Sequence, residues 1–308
     1  MSVIDVASVL LLALPWLQPV VYGPTPAVTQ FLLVWLSAST WRLLYNDTLG
    51  DRYGRDRTIA GAWILAAVVS AAMGLMQYFG ATDFFGLLIN SADVGQAYAN
   101  LRQRNQFATL INIGLTAVIL SMARAERECA QRCILSAFFV VILNTANSAT
   151  GLRTGFFQLL LLIAMGLRWR RGRSLFLMSV VVYIAAAFML PMLSGANPFA
   201  TGILSRVAET NLACSSRLTL WSNVLHLISQ KPWFGWGWGE LDYAHFITLY
   251  PGERFCEILD NAHNLPLHLA VELGIPVAAA FCGMCVWLVW RNKPWAEKDP
   301  TRQMAWGV

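Results

Sequence analysis

The chain has 308 residues, 57% hydrophobic and 13% charged, with a mean hydropathy of +0.53 and a formal net charge of +5. A soluble domain carries about 25% charged residues, so this composition excludes an ordinary soluble fold and points to an integral membrane protein. The positive balance is explained by loop arginines, as set out below, and implies no nucleic-acid partner.

Crossing a bilayer takes about 20 mostly apolar residues. Taken in chain order, the expected spans are 3–22, 26–44, 58–78, 105–123, 133–149, 153–167, 174–194 and 264–290. The fold class is therefore all-α, with about eight transmembrane helices in a single polytopic domain over 1–308. The first span lacks the basic leader of a secretory signal, and its Pro15 and Pro19 should bend it. Spans five and six are joined tightly through NSATGLRTG. Between spans seven and eight lies a long loop, 195–262. Within it, residues Ser215–Gln230 read as an amphipathic helix with Ser215 or Ser216 as N-cap. Leu218, Trp221, Leu225 and Ile228 are its apolar positions, and it is expected to lie in the membrane interface. Trp233, Trp236 and Trp238 follow and suit an aromatic belt.

Arginine placement orients the bundle. Arg42, Arg52, Arg55, Arg57, Arg124, Arg127, Arg132, Arg168, Arg170, Arg171, Arg173, Arg291, Lys293, Lys298 and Arg302 all fall on one side of the alternation, 15 of the 22 basic residues. The richer side is cytoplasmic by the positive-inside rule. The N-terminus is then inside and the loop 195–262 outside.

That topology sorts the six cysteines. Cys129 and Cys133 lie inside and should stay reduced, whereas Cys214 and Cys256 lie outside, where a disulfide can persist. A Cys214–Cys256 bridge is expected, with two free thiols as the alternative. Cys282 and Cys285 form CGMC within a span, and without a second pair they read as packing residues rather than a metal or redox site. No P-loop, dinucleotide fingerprint or HExxH pattern is present. The glycines of GWGWGE do not match a phosphate loop.

A polar cluster remains on the outer side. Arg102 and Arg104 open span four, Arg153 lies between spans five and six, Arg217 lies in the long loop, and His263 opens span eight. A lone arginine there can snorkel to headgroups. Several converging with a histidine, on the face poorer in positive charge, point to an anion site. His268 is turned about 140° from His263 on a regular helix and is read as structural, facing Glu272. Glu240, Tyr243 and His245 are unranked candidates for shaping an acceptor site.

RQRNQFATL, SRLTLW followed by KPWFGWGWGELDYAHF, and DNAHNLPLHLAVELGIP together resemble the bacterial O-antigen ligase/polymerase superfamily. Within it they most resemble the O-linked protein oligosaccharyltransferases, the pilin glycosylation ligases. The resemblance implies a multi-pass protein of the bacterial inner membrane with a periplasmic active site and no cofactor or metal. It implies transfer of a glycan from undecaprenyl pyrophosphate to a serine or threonine of a pilin or other periplasmic protein, or to lipid A-core in the ligases. The essential histidine maps onto His263. The pyrophosphate-binding arginines map onto Arg153 and Arg217, with Arg104 as a third, and Asn264 and Asp260 are supporting residues. The family also continues into further spans and a C-terminal region that do not follow Val308, so a shortened core or fragment is expected, with an inactive remnant as its alternative. A lipid-linked glycan transporter is the competing reading of another class. It is disfavoured because the polar residues gather at one face, not at mid-membrane.

Overall fold

A computed structural model describes residues 3–18, 27–44, 52–101, 103–123, 130–166, 173–195, 214–293 and 296. Among them every regular element is a helix, without a strand. The helices are α1 (Val3–Leu17), α2 (Ala27–Leu44), α3 (Arg52–Tyr78), α4 (Arg104–Ala123), α5 (Ala130–Ala149), α6 (Arg153–Gly166) and α7 (Arg173–Leu193). They continue with α8 (Arg217–Gln230), α9 (Leu241–Ile247), α10 (Leu265–Leu273) and α11 (Ile275–Asn292). Arg102, Cys129, Pro19 and most of 195–213 lie outside the described residues. The described residues form two compact units, one within Met1–Ala208 and one within Glu209–Glu297.

Among the described residues, five helical segments are long and apolar enough to cross a membrane: Asp56–Tyr78, Arg104–Met122, Ala130–Ala149, Arg173–Leu193 and Ile275–Asn292. That is fewer than the eight spans expected. Helix α6, with 14 residues, is about 21 Å long, short of the roughly 30 Å of hydrocarbon. Helix α1 contains Pro15 and ends at Leu17, five residues before the expected end of its span. Helical structure is what such apolar segments must adopt, because lipid offers no partner for an unbonded peptide group.

In the first unit, α3 packs against α1, α4 and α5, and α5 packs against α4 and α7. Small residues allow the close approach. A Cβ at Gly114 of α4 would collide with Ala67 of α3, and one at Gly74 would lie 2.5 Å from the Phe107 ring. Close packing of this kind, not expulsion from water, is what holds apolar helices together in lipid. Phe107, Ile111, Leu143 and Tyr183 fill the centre. Thr150 Oγ1 donates to the Asn147 carbonyl at 2.7 Å and accepts from the Leu152 amide at 3.2 Å, which makes the α5–α6 link tight, as expected.

Buried Gln77, at the last turn of α3, organises the connection to α4. Its Oε1 accepts from the amides of Tyr98 and Ala99 at 3.0 and 2.7 Å. Its Nε2 donates to the carbonyls of Asn90 and Ala99 at 2.7 and 3.0 Å. All four hydrogen-bonding sites of one buried amide are thereby used, which offsets the cost of burying it.

In the second unit, α8 packs on α10 around Leu220, Val224, Leu227, Leu241, Phe255 and Val271. The buried stripe of α8 is Leu220, Asn223, Val224, Leu227 and Ile228. Leu218 and Leu225, expected to face the membrane interface, are 73% and 55% exposed and lie outside that stripe. The helix carries apolar residues on two sides, and the sequence pattern did not say which would be covered. The expected continuous span 264–290 is also corrected. It breaks at Gly274 (φ +89°, ψ 160°) into α10 and α11. A Cβ at Gly274 would collide with the Trp233 backbone, and one at Gly235 with the Glu272 backbone. Gly235 and Gly237 of GWGWGE serve this contact. The Trp236 and Gly237 amides donate to the Val271 and Glu272 carbonyls at 2.8 and 2.9 Å, satisfying the open carbonyls at the end of α10.

Candidate active site

His263 and Arg217 both belong to the second unit, where three fastenings join the start of α8 to the loop that carries His263. The helix starts at Ser216, whose Oγ accepts from the Thr219 amide at 3.2 Å, leaving Arg217 exposed at the first helical position. An arginine there adds its charge to the positive end of the helix dipole.

The first fastening is the Cys214–Cys256 disulfide, with Cα atoms 5.4 Å apart, as the sequence predicts. It ties the residue two before the N-cap to the loop that leads to His263. The second is Asn223, only 2% exposed, which donates to the Glu253 carbonyl at 2.9 Å and accepts from the Phe255 amide at 2.8 Å. The third is Trp221, whose Nε1 donates to the Ala262 carbonyl at 3.0 Å. Sequence reasoning placed Trp221 only as an apolar position and did not single out Asn223.

His263 itself is exposed and adopts a left-handed backbone, with φ of +50°. Its amide donates to Asn261 Oδ1 at 2.7 Å. Left-handed geometry is costly for a residue with a Cβ, and such conformations gather at functional sites. Next, Asn264 caps α10, its Oδ1 accepting from the Leu267 amide at 3.3 Å. Partial burial and then the Arg217 charge hold the His263 imidazole below its ordinary range, with a smaller push the same way from His268, while Asp260 raises it. The result favours a neutral ring near pH 7, able to accept a proton.

The other predicted residues divide clearly. Arg153 and Arg104 are the first residues of α6 and α4 in the other unit, where those two helices pack together. Arg104 donates to Gln96 Oε1 at 3.3 Å. Beneath them a polar layer joins α4, α5 and α6. Asn112 Nδ2 donates to the Gly155 carbonyl at 3.2 Å and to Gln158 Oε1 at 3.1 Å, and Asn147 Nδ2 donates to Asn112 Oδ1 at 3.2 Å. His268 Nε2 stands 3.6 Å from buried Glu272 Oε1, the structural pairing expected of it.

His245 is corrected as an acceptor-site candidate. It is buried, with Nε2 3.1 Å from the Phe255 carbonyl and Nδ1 2.7 Å from the Tyr250 hydroxyl. A carbonyl only accepts, so Nε2 carries the proton and Tyr250 donates to Nδ1. Burial lowers the His245 pKa and raises that of Tyr250 to about 12. Trp236 is likewise committed, donating to the Leu227 carbonyl at 3.0 Å with Lys231 stacked 4.0 Å from its ring, whereas Trp233 and Trp238 remain exposed. Among the described residues no three His, Cys, Asp or Glu side chains gather as a metal site.

A helical chain with several membrane-length helices and an exposed histidine on the connection before a late one fits the resemblance drawn from the sequence. Comparison bears out that resemblance: residues 131–282 match the O-antigen ligase family and residues 97–120 match the protein glycosylation ligase family. Over 234 residues the chain is 26% identical to the ComP-specific O-oligosaccharyltransferase of Acinetobacter baylyi, covering 75% of this chain and 41% of that protein. Over 208 residues it is 24% identical to the general O-oligosaccharyltransferase of the same organism, covering 63% and 35%. The chain thus spans less than half the length of the curated relatives it matches. No solved structure gives a significant match.

Proposed function

We propose that the protein is an oligosaccharyltransferase of the bacterial inner membrane. It moves a glycan from undecaprenyl pyrophosphate to a serine or threonine hydroxyl of a protein on the periplasmic side. The observation that carries this reading is His263, held in a left-handed backbone within reach of the Arg217 charge and inside the stretch matching the O-antigen ligase family.

The chemistry suits the groups. The acceptor oxygen attacks the anomeric carbon as the bond from that carbon to the pyrophosphate oxygen breaks. The acceptor's proton passes to His263, and direct displacement inverts the anomeric centre. Negative charge grows on the departing pyrophosphate. Arginine, always charged and offering a planar fork of donors, is built to receive it. Arg217, Arg153 and Arg104 fill that role in this reading, in place of a divalent metal. One preorganised donor to developing anionic oxygen is worth about 100- to 1000-fold in rate. Asp260 and Asn264 support the histidine, the first by its charge and the second by fixing the start of α10.

The match to O-antigen ligases favours a second acceptor, lipid A-core, with the same donor chemistry. Comparing glycosylated periplasmic proteins with lipopolysaccharide ladders in a deletion strain separates the two. For the reaction itself, His263→Ala should abolish transfer from lipid-linked glycan to acceptor while the protein stays folded in the membrane. Near-normal transfer by that variant would sink the assignment.

A further inference from the structure

The peptide linking Ala262 to His263 is held from both ends. On one side its carbonyl accepts from Trp221 Nε1 at 3.0 Å. On the other its N–H donates to Asn261 Oδ1 at 2.7 Å. Ala262 is fully buried, so this peptide has little room to turn. A peptide unit is planar, and its orientation fixes ψ of Ala262 and φ of His263 together. With this peptide held upstream and the start of α10 fixed downstream by the Asn264 cap, His263 between them keeps a φ of +50°, against the intrinsic preference of an L-residue.

Trp221 stands four residues after Arg217 on α8, one turn along the same face. The helix that presents the arginine thus also grips the backbone that presents the histidine. Resting on the role proposed for His263, we propose that Trp221 is a positioning residue of the transfer reaction. Its indole N–H, through the Ala262 carbonyl, sets the orientation of the His263 imidazole beside Arg217.

The ring of Trp221 also packs on the core of this unit, so its removal would confound packing with positioning. Trp221→Phe keeps an aromatic ring there and deletes only the donor and the smaller ring. The charged and titratable groups facing His263 are Arg217 on α8, Asp260 in the preceding loop and His268 on α10. Freed from its seat, the imidazole gains solvent and leaves Arg217, and both changes raise its titration midpoint.

The test uses the full chain, purified in detergent with 15N-labelled histidine. There are only four histidines to assign, and His263→Ala identifies the signal. In Trp221→Phe the His263 midpoint should move upward, with the other three unchanged. With an undecaprenyl-pyrophosphate-linked oligosaccharide and a periplasmic acceptor protein, kcat should fall about tenfold or more, the loss expected of a mispositioned group, while KM changes little. Asn261→Ala, which removes the second hold on the same peptide, should shift the midpoint the same way and serves if Trp221→Phe does not fold. An unchanged His263 midpoint in a folded variant overturns the positioning role. If His263→Ala retains transfer, the base assignment fails instead, and the titration still reports on positioning alone.

Discussion

The Cys214–Cys256 bond offers the clearest quantitative test of how the candidate site is held. The two cysteines are 42 residues apart in sequence. In the chain-entropy description, cutting a cross-link of that loop length costs about 4 kcal/mol of stability, an upper figure since reduced chains retain structure. Each 1.4 kcal/mol is tenfold in an opening equilibrium, so removing the bond raises local opening by up to about a thousandfold. The amide to watch is that of Phe255, one residue before Cys256, buried and bonded to Asn223 Oδ1 at 2.8 Å. Hydrogen exchange on the Cys214→Ser/Cys256→Ser variant should show this amide losing much of its protection, while amides of α3 and α4 in the other unit keep theirs. Non-reducing mass spectrometry first establishes the cross-link in the native protein. With that in place, an acceleration of Phe255 exchange below about tenfold would refute the claim that the bridge stabilises the loop leading to His263.

Three further outcomes follow from the same geometry. Because Arg217 lowers and Asp260 raises the His263 pKa, and the neutral ring is the competent base, Arg217→Gln should move the acid limb of kcat/KM to higher pH. Asp260→Asn should move it lower, and shifts of the same sign in both variants would contradict the charge arrangement. Gly114→Val forces α4 away from Ala67 and should cost about 1–3 kcal/mol by thermal unfolding in detergent. Gly283→Val, where an added Cβ meets nothing within 4 Å, should cost far less. Finally, His263→Gly should unfold no earlier than His263→Ala, since glycine accepts a φ of +50° freely. A glycine penalty of about 0.5–1 kcal/mol would show the position is not left-handed.

Period and composition carried the membrane helices well. The starts and ends of α3 to α7 fall within a few residues of the expected spans, except that α3 begins at Arg52, six residues early. A long apolar run in lipid has one way to satisfy its backbone. Where the reading failed, the deciding contact was distant in sequence. The break at Gly274 depends on the backbone of Trp233 pressing where a Cβ would stand, which no local pattern encodes. The covered face of α8 was equally hidden. Leu218 and Leu225 are as apolar as Leu220 and Leu227, and only the packing of α10 distinguishes them.

The site was legible as chemistry and not as mechanics. A histidine and several arginines on a face poor in positive charge can be read from topology, because charge placement is a property of the sequence. So can the pairing of Cys214 with Cys256, since only an oxidising side would keep it. What the residues could not announce is the left-handed backbone of His263, because it depends on how the flanking chain is held, by Trp221 and Asn261 upstream and the Asn264 cap downstream. The same reasoning explains the misplacement of His245. Named with Glu240 and Tyr243 as a candidate for shaping the acceptor site, it instead has both ring nitrogens taken by the Phe255 carbonyl and Tyr250 hydroxyl. A buried histidine with both nitrogens engaged has no lone pair left to offer an acceptor. His263, exposed at the start of α10, is not committed in that way.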